Sequence, residues 1–197
     1  MGLTPVADDQ LATVVTTLVM TERPRPRPFP ASPLRLQRWR SPAPAAYRTL
    51  FRRVGAPWLW YSRLALDDAQ LGARLVSPTL QLYAARDAAG IEVGMVELDF
   101  AAQPEAELAY FGLVPELTGQ GHGRWLMAHA LPLLWRPGVE RVRVNTCTLD
   151  HPSALGFYRA QGFTPVRRTV ETFPDPRTLG LLPAGAAPQI PFLASAR

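Results

Sequence analysis

The sequence predicts a mixed α/β fold of the α+β kind, with a central sheet of about six to seven strands and helices packed against it. Three observations predict it. Residues 80–114 hold three strand-like runs in succession. Residues 124–173 then alternate helix, strand, helix, strand. At the junction stands a glycine-rich turn, Thr118-Gly119-Gln120-Gly121-His122-Gly123. No internal repeat interrupts this order. The expected organisation is one domain over residues 1–173 and a proline-rich tail over residues 174–197.

Taken in order, residues 12–20 are rich in Val and Thr and read as a strand. Alternating prolines over residues 24–30 forbid helix and sheet interior, so this is an extended linker. Residues 33–39 form a short strand. Ala46, Tyr47, Leu50, Phe51 and Val54 recur at helical spacing. Asp67 and Asp68 cap a short helix that runs to about Leu75. The run 80–86 and the run 91–100 flank the turn Asp87-Ala88-Ala89-Gly90, and residues 107–114 complete an antiparallel meander. Leu126, Met127, Ala130, Leu131 and Leu134 stripe the helix after the glycines, which Pro132 should kink. Residues 139–145 form a strand. A helix follows with Asp150 or His151 as cap and stops at Gly162. Residues 163–173 are the last strand.

Composition narrows the function. With 47% apolar residues over 197 positions, the chain can bury a core, which excludes wholesale disorder. No apolar run reaches the roughly 18 residues that span a bilayer, so no membrane partner is expected. Asp8 and Asp9 stand where a secretion signal would be basic, and the lone Cys147 permits no internal disulfide. A cytoplasmic monomer or homodimer is the expectation. All 21 basic residues are arginine, and nine of them fall between Glu22 and Arg53 beside one acid. Broken by prolines, this stretch offers no DNA-reading helix, so no nucleic-acid partner is expected. The three histidines do not cluster, and no metal is expected.

The glycines carry the chemistry. Glycine lets the backbone take unusual dihedrals and approach a ligand closely. Free N–H groups at the start of the next helix attract an anion. The turn can therefore cradle a pyrophosphate, although a plain tight turn has the same composition. A dinucleotide-binding βαβ unit wants Gly-x-Gly-x-x-Gly, and here the third glycine comes too early. A P-loop would need a lysine, and the chain has none.

The stretch AELAYFGLVPELTGQGHGRWLM resembles motif A of the GNAT (GCN5-related) N-acetyltransferase superfamily. Gly121 and Gly123 match the motif glycines, while Thr118 stands where Arg or Gln is usual. A second signature resembles residues 151–163 through Ala154, Phe157, Tyr158, Gly162 and Phe163, with His151 at the usual Asn position. The runs TLDHP and PWLWY resemble a bacterial subgroup whose acceptor is unassigned.

The resemblance implies a GNAT fold with strands splayed at the cofactor site, and acetyl-CoA as co-substrate. It implies that the turn residues Thr118, Gly119, Gln120, Gly121, His122, Gly123 and Arg124 bind the pyrophosphate. Leu113 and Val114 would bond the pantetheine arm, with Asn145 and His151 also reaching the cofactor. The amine attacks the thioester directly. Tyr158 is the expected general acid for the leaving thiolate, and Glu107 the general base for the amine. Glu107 can also be read as a surface or substrate-binding carboxylate, with Glu97 and Asp99 on the neighbouring strand as alternative bases or substrate-binding acids. Cys147 near His151 could suggest a nucleophile, but direct transfer needs no acyl-enzyme. Trp58, Trp60 and Tyr61 are candidates for the acceptor pocket, where aromatics hold an amine by cation–π contact. Arg52 and Arg53 nearby suit an acceptor that also bears a carboxylate or phosphate. The expected activity is N-acetylation of a small metabolite's primary amine. Protein or peptide N-acetylation and non-catalytic acyl-CoA binding are the alternatives.

Overall fold

The computed structural model describes residues 2–25 and 28–193. Positions 26 and 27 of the expected linker and 194–197 of the expected tail lie outside them. The strands are β1 (Gln10–Met20), β2 (Arg35–Arg38), β3 (Leu80–Arg86), β4 (Glu92–Asp99), β5 (Glu105–Leu113), β6 (Arg141–Cys147) and β7 (Thr164–Pro174). The helices are α1 (Pro44–Gly55), α2 (Asp68–Leu75), α3 (His122–Leu134) and α4 (Ala154–Ala160). They form a mixed α/β fold around one seven-stranded sheet, ordered β2-β3-β4-β5-β6-β1-β7.

Strands β2 to β5 form an antiparallel run that contains the expected meander. β5 and β6 are parallel, because α3 carries the chain back between them. The first strand in sequence then takes a central place. β1 is antiparallel to both neighbours, with Val15 opposite Cys147 on one side and Thr169 on the other. Its Leu18 and Met20 are buried in the core. β7 pairs with β1 alone and is an exposed edge strand for most of its length.

Local sequence explains the helix ends. Asp67 caps α2 in a reciprocal capping box: its carboxylate accepts from Gln70 N, and the Gln70 side chain accepts from Asp67 N. Pro132 does not stop α3, which continues to Leu134. Only the last turn loses a donor there. The cap of α4 is Ser153, not Asp150 or His151. His151 Nδ1 accepts from Ser153 N at 3.1 Å. The Asp150 carboxylate instead accepts from Thr146 Oγ1 and Cys147 N, which closes the turn after β6.

α1 and α2 cover the sheet face that carries Glu97 and Asp99. Side-chain alternation turns Leu98 and Leu108 to the other face, where α3 packs on β5. Glu97 is fully buried. It accepts from Tyr47 Oη at 2.6 Å and Arg63 Nη2 at 2.5 Å, with Arg74 Nη2 at 3.7 Å. Burial first, then the Glu97 charge, hold the Tyr47 hydroxyl well above its usual pKa, so Tyr47 is the donor.

The segment after β7 packs back onto the domain. Leu182 and Ala187 join the core cluster. Buried Arg177 bonds both Asp175 carboxylate oxygens and donates to the carbonyls of Ala186, Ile190 and Pro191. Gln189 Nε2 donates to Pro57 O at 2.7 Å, which ties this segment to the aromatic loop before α2.

Two substitutions test this packing by urea unfolding. Leu18→Ala should cost about 2–5 kcal/mol, as for a core leucine, because β1 is central to the sheet. Glu97→Ala should cost about 3–5 kcal/mol, because Arg63 is left buried without its partner. A cost below about 0.5 kcal/mol for either, the scale of a surface change, would contradict the placement.

Candidate active site

Gly119 and Gly121 have φ of 79° and 84°, a left-handed region that glycine occupies without strain. Their turn delivers the chain into α3, whose N-terminal cap is Gly121. Among the described residues, the main-chain N–H groups of residues 119–123 donate to no protein acceptor. Five consecutive free donors lie at the positive end of a helix. The Arg124 guanidinium folds toward them, with Nη2 3.6 Å from where a Cβ on Gly121 would sit. The Gln120 side chain bonds Glu116 O, and the His122 ring bonds Ser32 Oγ. Both side chains therefore hold the turn from outside.

The parallel pairing of β5 and β6 covers only Glu105–Leu108 against Arg141–Val144. Beyond Leu108 the strands part, and Ala109 lies in a bulge against β4. From Ala109 to Leu113, the β5 backbone groups directed toward β6 have no strand to pair with. A cleft of about 700 Å³ opens at this point, within the usual range of about 300–1,000 Å³ for small-molecule sites. It is lined by Thr118, Gly119, Gly121, Gly123 and Arg124 of the glycine turn, and by residues 108–113, Asn145 and Tyr158. Trp58, Trp60, Tyr61, Glu171 and Phe173 also line it.

Most of the expected cofactor residues line the cleft, but Gln120, His122 and Val114 do not. The Val114 N–H donates to Val93 O and its carbonyl accepts from Leu117 N, so neither group is free for a pantetheine arm. Asn145 lines the cleft and accepts from Thr17 Oγ1 at 2.8 Å. His151 lines it too, with its ring edge-on to Trp58 at 5.1 Å.

Tyr158 lies between Phe111, Phe157 and Phe163 and is 8% exposed. Burial, and then the negative charge of Asp150, push its hydroxyl far above the usual tyrosine pKa. It keeps its proton at any physiological pH and can only donate it or share it.

The expected carboxylates sit differently from one another. Glu107 does not line the cleft. It accepts from Arg143 Nη2 at 2.8 Å and from Asn145 Nδ2 at 3.4 Å, so Asn145 stands between it and the cleft. Burial raises its pKa, and Arg143 partly offsets the rise. Glu97 and Asp99, expected as alternative bases or substrate-binding acids, are also outside the cleft, because Arg63 and Arg74 hold them under α1 and α2. Arg52 and Arg53 do not line it either, and Arg53 is bonded to Glu92 O.

Several lining residues were not expected from the sequence, Glu171, Phe173 and Tyr110 among them. Glu171 and Phe173 come from β7, and Phe173 stacks on Tyr61 at 4.9 Å and 9°. Tyr110 bonds Ser62 and packs against Trp60 and Phe51. Their alternating positions on strands were visible, but no local pattern says which face meets a cleft.

Cys147 also lines the cleft. Burial first, then Asp150, raise its thiol pKa, which disfavours the thiolate a nucleophile needs. Alkylation by iodoacetamide should therefore be slower at pH 7.5 than for a free cysteine and accelerate only at higher pH. A rate at or above the free thiol's would show an activated thiolate. Among the described residues no His, Cys, Asp or Glu cluster is able to hold a metal, and no helix is long and apolar enough to cross a membrane.

No curated protein matches the chain at a significant level. Solved structures of the same fold do. A GCN5-related N-acetyltransferase from Sphaerobacter thermophilus superposes with a TM-score of 0.61 at 14% identity, over 82% of this chain and 51% of that one. The chain thus spans about half of that protein's length. An aminoglycoside acetyltransferase from an uncultured soil metagenomic sample, in complex with sisomicin, gives 0.57 at 19%, over 71% and 93%. A ribosomal-protein-alanine N-acetyltransferase from Escherichia coli gives 0.54 at 13%, over 72% and 94%. Identities this low carry the fold alone. The family model of the GNAT acetyltransferases matches residues 36–163, which run from β2 through the glycine turn to the end of α4. With the free amides and the parted strands lying inside that match, the chain belongs to the GNAT acetyltransferase family.

Proposed function

We propose that the protein is an acetyl-CoA-dependent N-acetyltransferase that acts by direct transfer to a primary amine of a small molecule. The observation that carries this reading is the run of unpartnered amides at residues 119–123, which opens on the same cleft as the buried Tyr158. Neutral amides and Arg124 suit a pyrophosphate. The unpaired edge of β5 suits a chain of amides laid along it as an added strand.

Bound acetyl-CoA would supply the electrophile, a thioester carbonyl. The chain's residues do the rest. The acceptor arrives protonated, because a lysine-like amine has a pKa of about 10.4. Glu107 takes that proton through water beside Asn145, and its raised pKa makes it a better base than an ordinary carboxylate. As the N–C bond forms and the C–S bond breaks, Tyr158 gives its proton to the leaving sulfur. Residence in the cytoplasm is part of this reading.

Tyr158→Phe should keep acetyl-CoA affinity, measured by calorimetry, and lower turnover by about 10²–10⁴-fold. Full turnover under chemistry-limited conditions would remove the tyrosine from the mechanism. Glu107→Gln should lose most activity near neutral pH and regain part of it as rising pH frees the amine. A loss confined to KM would instead make Glu107 a binding group. Gly121→Asp puts a carboxylate and a strained backbone into the turn, so acetyl-CoA affinity should fall by more than about tenfold.

A further inference from the structure

Few charged side chains line the cleft. On the glycine turn the one charged lining side chain is Arg124. The other charged lining side chains are Asp150, on the turn after β6, and Glu171, on β7; Arg124 is the cleft's one arginine among the described residues. Asp150 is already engaged: it accepts from Thr146 Oγ1 at 2.7 Å, Cys147 N at 2.9 Å and Trp60 Nε1 at 3.4 Å. Glu171 is different. Among the described residues it forms no ion pair and no side-chain hydrogen bond. Every acid on β4 and β5 has an arginine partner, whereas Glu171 on β7 has none among the described residues.

Its surroundings are aromatic. Glu171 and Phe173 share one face of β7, being two residues apart. Phe173 lies flat against Tyr61, and Trp58 stands across from His151 in the same lining. Arg167 and Arg168 on β7 do not line the cleft. An unpaired carboxylate among π-faces attracts a cation from two directions. A ligand carboxylate beside Glu171 would meet like charge.

Resting on the acyl-transfer reading above, we propose that the acceptor is a cationic amine without a carboxylate, held by Glu171 among Trp58, Tyr61 and Phe173. This reverses the expectation that Arg52 and Arg53 drew from the sequence, since both lie outside the cleft. It also makes Glu171 a specificity-determining residue that discriminates amines from the matching amino acids.

The test is equilibrium binding to the full chain saturated with CoA, followed by the indole N–H signals of Trp58 and Trp60 in nuclear magnetic resonance. The probes are 1,5-diaminopentane and phenethylamine, with lysine and phenylalanine as their carboxylate-bearing counterparts. Each amine should bind at least about tenfold more tightly than its amino acid. Glu171→Gln should weaken the amines by about tenfold or more, the loss of one charge-assisted hydrogen bond, and leave CoA affinity unchanged. Glu171 is exposed on an edge strand, so the variant should fold. Amino acids binding as well as the amines, or amines binding equally to Glu171→Gln, would overturn the proposal, as would no shift with any probe. Acetyl-CoA thiol release with the same compounds is read separately. Binding without turnover would refute the transferase reading and leave the cation site standing.

Discussion

Strands β5 and β6 remain paired for four residues and then part, and the rest of the site depends on that divergence. Had the pairing continued, the β5 backbone from Ala109 to Leu113 would be satisfied within the sheet, and no cleft would exist. The closed end is held by charge. Glu105 accepts from Arg141 and Arg143, and Glu107 accepts from Arg143, so three strand-borne pairs bridge β5 and β6 where they still touch. At the open end aromatic side chains take over, with Phe111 stacked on Phe157 and Tyr110 against Trp60. The wedge is thus clamped at one side and propped at the other.

This arrangement also sorts the titratable groups. Glu97 and Asp99 of β4 are bound to arginines under α1 and α2, so they serve the scaffold. The acids that line the cleft come from later in the chain, on the turn after β6 and on β7. The apolar walls around Tyr158 keep its proton in place, and Asp150 strengthens that effect. The same two causes keep Cys147 a thiol. One environment therefore yields a proton donor and an inert sulfur side by side.

Much of the fold was legible in the sequence because its signals are local. The Asp67 cap, the turn at Asp87, the Val/Thr-rich first strand and the glycine turn each follow from a few adjacent residues. The central position of β1 was not legible. Nothing within QLATVVTTLVM says that its partners lie more than 120 residues away. For the same reason Glu171 was passed over, since its place in the cleft depends on β7 pairing with β1 opposite Thr13. The carboxylates Glu97 and Asp99 lie on β4 outside the cleft. Their alternation on β4 was real, but the arginines that claim them come from the segment around α2. Arg177 lay in sequence expected to be a tail, although its five donors organise that segment against the domain.

The central claim is that the free amides of residues 119–123 and the unpaired edge of β5 form one acyl-CoA surface. Hydrogen–deuterium exchange with and without acetyl-CoA tests it most directly, because exchange reads backbone N–H groups themselves. Slowed exchange is expected in two separate peptides, one covering residues 109–113 and one covering 119–124, at the same ligand concentration. Protection of neither peptide under saturating acetyl-CoA, or protection confined to other segments, would contradict the account.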